Sequence, residues 1–176
     1  MMKILDFPEL RQTYVYDCGA SALQSVLVWA GIPIREDEVV RLAGTDKEDG
    51  TSLASMRYVL DRFGMLYTAY ENMPVENIRK TVDAGHPTII MLQAYRDPPE
   101  LAWGDCWDDG HYVVAIGYDE AGIIFEDPSA FTRTRLGDAE LCERWHDIDA
   151  GERIFHWGCT ILSGGKFVPG AIAHMD

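Results

Sequence analysis

Residues 12–30 read Gln-Thr-Tyr-Val-Tyr-Asp-Cys-Gly-Ala-Ser-Ala-Leu-Gln-Ser-Val-Leu-Val-Trp-Ala. Leu23, Val26, Leu27 and Ala30 recur at i, i+3, i+4 and i+7, one face of a helix. Ala22, Val28 and Trp29 make most of the remaining surface apolar, so the segment predicts a central, buried helix. Gly31 ends it and Pro33 prevents its return. Asp17 is the expected N-cap, its carboxylate accepting the free N–H groups of the opening turn. Cys18 then sits on the first turn, at the positive end of the helix dipole, where a thiolate is favoured. A small buried cysteine in a core has the same local sequence. The choice between nucleophile and core residue depends on whether the chain supplies a base.

Composition narrows the setting. The chain has 176 residues, 47% hydrophobic and 25% charged, enough for one domain with a substantial core. No apolar run is long enough to span a bilayer, and Met1 to Asp6 lacks the apolar stretch of a signal peptide. Four cysteines, Cys18, Cys106, Cys142 and Cys159, are scattered without a CxxC pair. That speaks against a zinc ribbon or disulfide scaffold and fits a reducing, cytoplasmic location. A net charge of −14 disfavours nucleic acid and anionic membrane as partners.

Helices are expected first and strands afterwards. Glu36 to Ala43, stopped by Gly44, reads as a short helix, and Thr51 or Ser52 caps a third carrying Leu53, Met56, Leu60 and Phe63 on one face. Leu66 to Tyr70 reads as a strand, and Pro74 opens a fourth helix closed by Gly85. Thr88 to Ala94 and His111 to Tyr118 are apolar strands separated by a long loop. Asp119 to Gly122 is a turn, and Ile123 to Asp127 returns beside the second strand, stopped by Pro128. A short strand within Phe131 to Leu136, a helix over Asp138 to Trp145, and a last strand over Arg153 to Leu162 complete the reading, with an irregular tail from Ser163. Helices followed by an antiparallel sheet make an α+β fold.

A nucleophilic cysteine needs an imidazole for its proton and a third group to orient that imidazole. Of five histidines, His86 precedes a proline, His174 lies in the tail, His146 ends a helix and His156 falls inside the last strand. His111 differs, opening an apolar strand directly after Asp109-Gly110. Sixteen residues on, Asp127 closes the partner strand at the same edge of the sheet. The even separation lets both side chains share a face, provided the turn register cooperates. Gln12, six residues before Cys18, offers a neutral amide donor for a developing oxyanion.

Gln12 with Asp17-Cys18-Gly19-Ala20, then His111-Tyr112-Val113-Val114, then Asp127-Pro128-Ser129, resembles the papain-like cysteine peptidases. Among them it is similar to the double-glycine leader peptidases, the bacteriocin-processing domains of peptide-exporting ABC transporters. The resemblance covers about Phe7 to Trp157 and implies a papain-like fold with the nucleophile helix packed on the sheet. It implies Cys18 as nucleophile, His111 as general base and then acid, Asp127 as orienter of the imidazole, and Gln12 as oxyanion donor beside the backbone N–H of Cys18. The substrate is then a peptide or protein, and no cofactor is needed. The sequence contains neither a membrane-spanning segment nor a nucleotide-binding loop, so coupling to export requires a separate exporter that the sequence does not define.

Two other activities fit the same residues: acyl or peptidyl transfer (or amidase action), and peptide binding without turnover. In the long loop, Leu101, Trp103 and Trp107 are candidates to line a substrate groove near His111, with Gly110 giving backbone room. Asp105, Cys106, Asp108, Asp109 and His111 carry ligand chemistry, but their crowding on one loop reads as a solvated acidic turn, and no metal is assigned. Such an acidic wall favours a basic peptide. Gly164-Gly165 resembles a double-glycine cleavage site, though it reads first as a flexible turn.

Overall fold

A computed structural model describes residues 1–96 and 98–172. Helix α1 (Cys18–Trp29) is buried along nearly its whole length, as its apolar circumference requires. Around it lie α2 (Glu36–Ala43), whose Gly44 takes the left-handed conformation at φ 62°, and α3 (Leu53–Arg62), where the Ser52 hydroxyl accepts the Ser55 N–H at 3.1 Å. Ala84 caps α4 (Val75–Asp83), and the short α5 (Asp138–Arg144) lies beyond the main strands.

The strands are β1 (Lys3–Ile4), β2 (Tyr67–Tyr70), β3 (Thr88–Gln93), β4 (Gly110–Asp119), β5 (Gly122–Glu126), β6 (Thr134–Leu136), β7 (His146–Asp149), β8 (Glu152–Phe155) and β9 (Gly158–Ile161). Seven of them form one antiparallel sheet in the order β2-β9-β3-β4-β5-β6, with β1 paired to β4. β7 and β8 make a separate hairpin. The architecture is therefore α+β.

Both faces of the sheet are covered. Ile89, Met91, Tyr112, Val114 and Ile116 pack against the α1–α3 layer. Ile90, Leu92, Val113, Ala115, Ile123 and Phe125 pack with Ile78 and Val82 of α4 and Leu141 of α5. This explains why Ile89 to Leu92 of β3 are apolar without alternation: all six residues of the strand are buried.

Several expectations need correction. The apolar stretch Arg153 to Leu162 is two strands, because His156 adopts φ 47° between them and ends β8. His146 does not close a helix but opens β7, a strand in a stretch to which the sequence assigns no element. The two residues of β1 carry no pattern from which a strand can be read. Asp17 does not cap α1 with its carboxylate, which turns back to accept the Tyr14 N–H at 3.0 and 3.1 Å. Phe131 is exposed outside β6. No helix or strand runs through residues 163–172, and His174 lies outside the described residues. Among the described residues, no helix is long and apolar enough to cross a membrane.

The β4–β5 hairpin carries an irregularity that positions the site. Near the turn, Asp119 faces Gly122 and Gly117 faces Ile124, but Ala115 faces Phe125 and Val114 faces Glu126. Ile116 is thus an extra residue, a β-bulge. In the unbulged register, Asp127 would continue opposite Val114, on the Tyr112 face. With the bulge it continues opposite Val113, on the face of His111. The even spacing alone does not bring the two side chains together; the bulge does.

Candidate active site

The site assembles where α1 begins and β4 begins. Gly19 makes the approach possible: a β-carbon there would stand 2.6 Å from Thr51 Cβ and 3.0 Å from the Tyr112 ring. The Tyr112 hydroxyl donates to the Thr51 carbonyl at 2.9 Å, fixing β4 against the start of α3. Cys18 is therefore held beside the start of β4, and the residue is half-buried.

His111 is 4% exposed. Its Nε2 pairs with Asp127 Oδ1 at 2.9 Å. Among the described residues the ring makes no hydrogen bond to Cys18; the cysteine acts on it as a neighbouring group that raises its proton affinity. Burial would lower the imidazole pKa, but Asp127 and Cys18 together outweigh it and hold His111 up at about 9. The converse holds for Asp127: burial pushes it up, and the His111 pairing and Ser129 hydrogen bonds pull it down to about 2. Over the intervening pH range, the two form an imidazolium–carboxylate pair.

Asp127 is itself held. Its Oδ1 accepts the Ser129 N–H and hydroxyl, both at 3.0 Å, and its Oδ2 accepts the Thr134 hydroxyl at 3.2 Å. Ser129 bonds the Tyr95 hydroxyl at 2.6 Å, and the Tyr95 ring lies 5.9 Å from the His111 ring. Ser129, Thr134 and Tyr95 were not singled out from sequence. Only Ser129 had a local signal, as the third residue of an Asp-Pro-Ser turn.

Gln12 lies in the same wall. Its backbone N–H donates to the Pro128 carbonyl at 2.9 Å, tying it to the Asp127 turn. The preceding Arg11 pairs with the buried Glu126, which also receives Arg133 at 3.3 Å. The Gln12 amide donates to the Tyr14 carbonyl at 2.6 Å, and its Oε1 is buried without a hydrogen-bond partner. One N–H of the amide is therefore occupied in this state, and one is free to donate elsewhere.

Two cavities open around the start of β4. The larger, about 1110 Å³, is lined by Gln12, Tyr14, Tyr95, His111 and Ser129, with the exposed Val15 and Phe131 at its edge. The smaller, about 280 Å³, has Cys18, Trp107 and Gly110 in its walls. Gly110 also borders the larger, so the two meet at the start of β4. Trp103 lies in neither. It is clamped between Arg96 and Arg144, whose guanidinium carbons sit 4.4 and 4.0 Å from the ring centre. Trp107 rests on His146 at 4.4 Å and on Arg153 at 4.3 Å.

The acidic loop does not gather around a common point. Cys106 donates to the Tyr95 carbonyl and to Asp109, and His111 turns to Asp127 instead. Among the described residues, no three His, Cys, Asp or Glu side chains are placed to hold a metal ion. Gly165 packs against Trp29, and the Lys166 and Phe167 N–H groups donate to the Trp29 carbonyl. Gly164-Gly165 is therefore pinned at the end of α1 opposite Cys18, a helix length of about 18 Å away at 1.5 Å per residue.

Solved structures share this architecture. A putative C39-like peptidase from Bacillus anthracis superposes with a TM-score of 0.67 at 16% identity, covering 94% of this chain and all of its own. The peptidase domain of Streptococcus ComA, a bi-functional ABC transporter, gives 0.65 at 18% identity over 90% of this chain and 96% of its own. A double glycine motif protease from an AMS/PCAT transporter, solved with its leader peptide, gives 0.63 at 16% identity over 90% and 94%. An uncharacterised protein of Methanothermobacter marburgensis is 27% identical over 147 residues, covering 78% of this chain and 89% of the relative.

The fold is thus the α+β fold of the papain-like peptidases. The family model described as "Peptidase_C39 like family" matches residues 4–149, and the chain belongs to that family.

Proposed function

We propose that the protein is a cysteine peptidase that cleaves peptide bonds through a Cys18 thioester. The observation that carries this reading is the imidazole of His111 bonded to the Asp127 carboxylate at 2.9 Å, at the start of β4, where Gly110 borders the cavity that Cys18 lines. The Cys18 sulfur attacks the carbonyl carbon while its proton resides on His111. The oxyanion is met by the Cys18 backbone N–H, which helix geometry leaves unused, and by the Gln12 amide. His111 returns the proton to the leaving amine as the C–N bond breaks. Water then attacks the thioester, His111 takes its proton, and the acid leaves with the thiol restored. An imidazole held protonated up to about pH 9 suits the step that protonates the amine.

The other thiols lack these conditions. Burial raises the pKa of Cys106 and Cys142, and drives that of Cys159 to about 12. We read the chain as one domain working in the cytoplasm, where four unpaired cysteines are stable. The double-glycine leader site is the cleavage preference that the transporter peptidases bring to the test, with a separate exporter as the partner it would require.

The experiment is mass-spectrometric turnover of a peptide library that includes leader-like segments ending in Gly-Gly. The expected result is cleavage with a transient acyl adduct on Cys18, absent in Cys18→Ala. Added amine acceptors separate hydrolysis from transfer: amide products in place of acids would favour a transferase. Iodoacetamide labelling at mildly acidic pH is expected to modify Cys18 ahead of Cys106, Cys142 and Cys159. Uniform labelling together with no turnover would leave a peptide-binding module.

A further inference from the structure

The smaller cavity beside Cys18 has a polarity that peptide hydrolysis alone does not call for. At about 280 Å³ it lies at the low end of ligand-pocket size, fitting one long side chain rather than a cofactor. Asp147 and Asp149 line its inner part, and the more exposed Glu48, Asp49 and Asp108 line its rim. Among the described residues, none of these five carboxylates is in a salt bridge. The nearby Arg153 is stacked on Trp107 instead.

Asp147 is the decisive group. It is 8% exposed. Its Oδ1 accepts the Gln93 amide at 3.0 Å and the Ile148 N–H at 2.8 Å. Its Oδ2 has no hydrogen-bond partner among the described residues, yet it is not sealed in the core. That oxygen stands 2.0 Å from where a β-carbon of residue 110 would be, so only glycine there leaves room for the carboxylate in the cavity wall. Burial without a counter-charge pushes the Asp147 carboxyl up to about 6. Gln93, fully buried, holds the arrangement: its Oε1 accepts the Asp109 N–H at 3.0 Å, and its amide also reaches the His146 carbonyl at 3.1 Å.

A buried, half-satisfied carboxylate in a cavity that contains the nucleophile lacks a cation. We propose that this cavity is a specificity pocket for a lysine or arginine side chain of the peptide substrate, with Asp147 as its counter-charge. The inference rests on the peptidase reading above and names its substrate class. The rim carboxylates draw the cation in, and Asp147 fixes it next to the bond presented to Cys18.

The test uses N-acetylated peptides, so that no α-amino group competes. Each carries Lys, Arg, norleucine or Glu in turn at the positions flanking the cleaved bond. At one position, Lys or Arg is expected to raise kcat/KM about tenfold or more over norleucine, with Glu the poorest. Asp147→Asn is expected to bring the Lys-to-norleucine ratio towards one, and Asp108→Asn on the exposed rim to lower it less. Norleucine matching Lys at every position would overturn the proposal, as would an unchanged ratio in a folded Asp147→Asn. If Asp147→Asn does not fold, the Asp108→Asn ratio decides. If no peptide is turned over, the peptidase reading fails, and the pocket is judged by alkylation: agmatine is expected to slow iodoacetamide modification of Cys18 where neutral butyramide does not, and equal rates with both would reject it.

Discussion

Asp127, half-buried, and Asp147, buried, are carboxylates of the same site, and burial pushes both towards the neutral acid. They end about four units apart, at about 2 and about 6. The difference lies in the partner. Asp127 faces an imidazole and two hydroxyls, whereas Asp147 faces an amide, one backbone N–H and open space. Desolvation is common to the two, so the cation supplied to one and withheld from the other sets the charge pattern. One carboxylate is finished within the fold and the other awaits a ligand.

The comparison is broken most severely at the cysteine. Cys18→Ala should lower peptide turnover by on the order of 10⁴ or more, as loss of a nucleophile does in comparable triads, measured as kcat/KM on any peptide that the wild type cleaves. Asp127→Asn comes next, expected to lower kcat by on the order of 10². It should also move the alkaline limb of the rate profile from near pH 9 towards the ordinary histidine value of about 6.5. The sign follows from the pair: the stabilisation from His111 is fully present below its unfolded pKa and is lost as pH rises through about 9. That from Asp127 is present above its unfolded pKa and is lost as pH falls through about 2. An alkaline limb that stays near 9 in Asp127→Asn would mean that another group holds the proton on His111.

Asp147→Asn should act in the opposite sense on stability. A carboxyl raised from 3.8 to about 6 costs stability as pH climbs through that window. The variant should therefore be more stable to denaturant than wild type above pH 6, by on the order of 2 kcal/mol, and show no gain at pH 4. Equal shifts at both pH values would assign the effect to packing. The smallest effect is expected at the exposed Asp37, which Arg35 contacts at 3.0 Å in solvent. Arg35→Ala should leave the melting temperature unchanged within error, showing that a partner matters only where water has been removed.

The helices and the first half of the site were legible because their signals are local. Apolar periodicity, Gly44 and the Ser52 cap mark α1 to α3 directly. The Asp119–Gly122 turn and its flanking strands mark the hairpin that carries His111 and Asp127. What was not legible depends on contacts distant in sequence. The stretch 153–162 reads as one strand, and its break comes with distant contacts of His156: stacking on Trp145, ring centres 4.9 Å apart, and hydrogen bonds to the Trp145 and Cys142 carbonyls. Trp103 was a reasonable groove residue by composition, but Arg144, brought in by α5, claims its face. Asp147 has no motif around it. Its character comes from Gln93 and Gly110, which lie far away along the chain.

The bulge at Ile116 has a consequence for how this site is lost or gained in descent. Substituting Ile116 by another apolar residue preserves the count of residues between Asp119 and His111, and with it the shared face. Deleting one codon there would restore an unbroken ladder and rotate Asp127 to the far side of the sheet, with every named site residue still encoded. A descendant so altered would pass any inspection of its motifs and still lack the pair. In lineages of this hairpin, strand length between turn and histidine is as much a mark of the working site as the residues themselves.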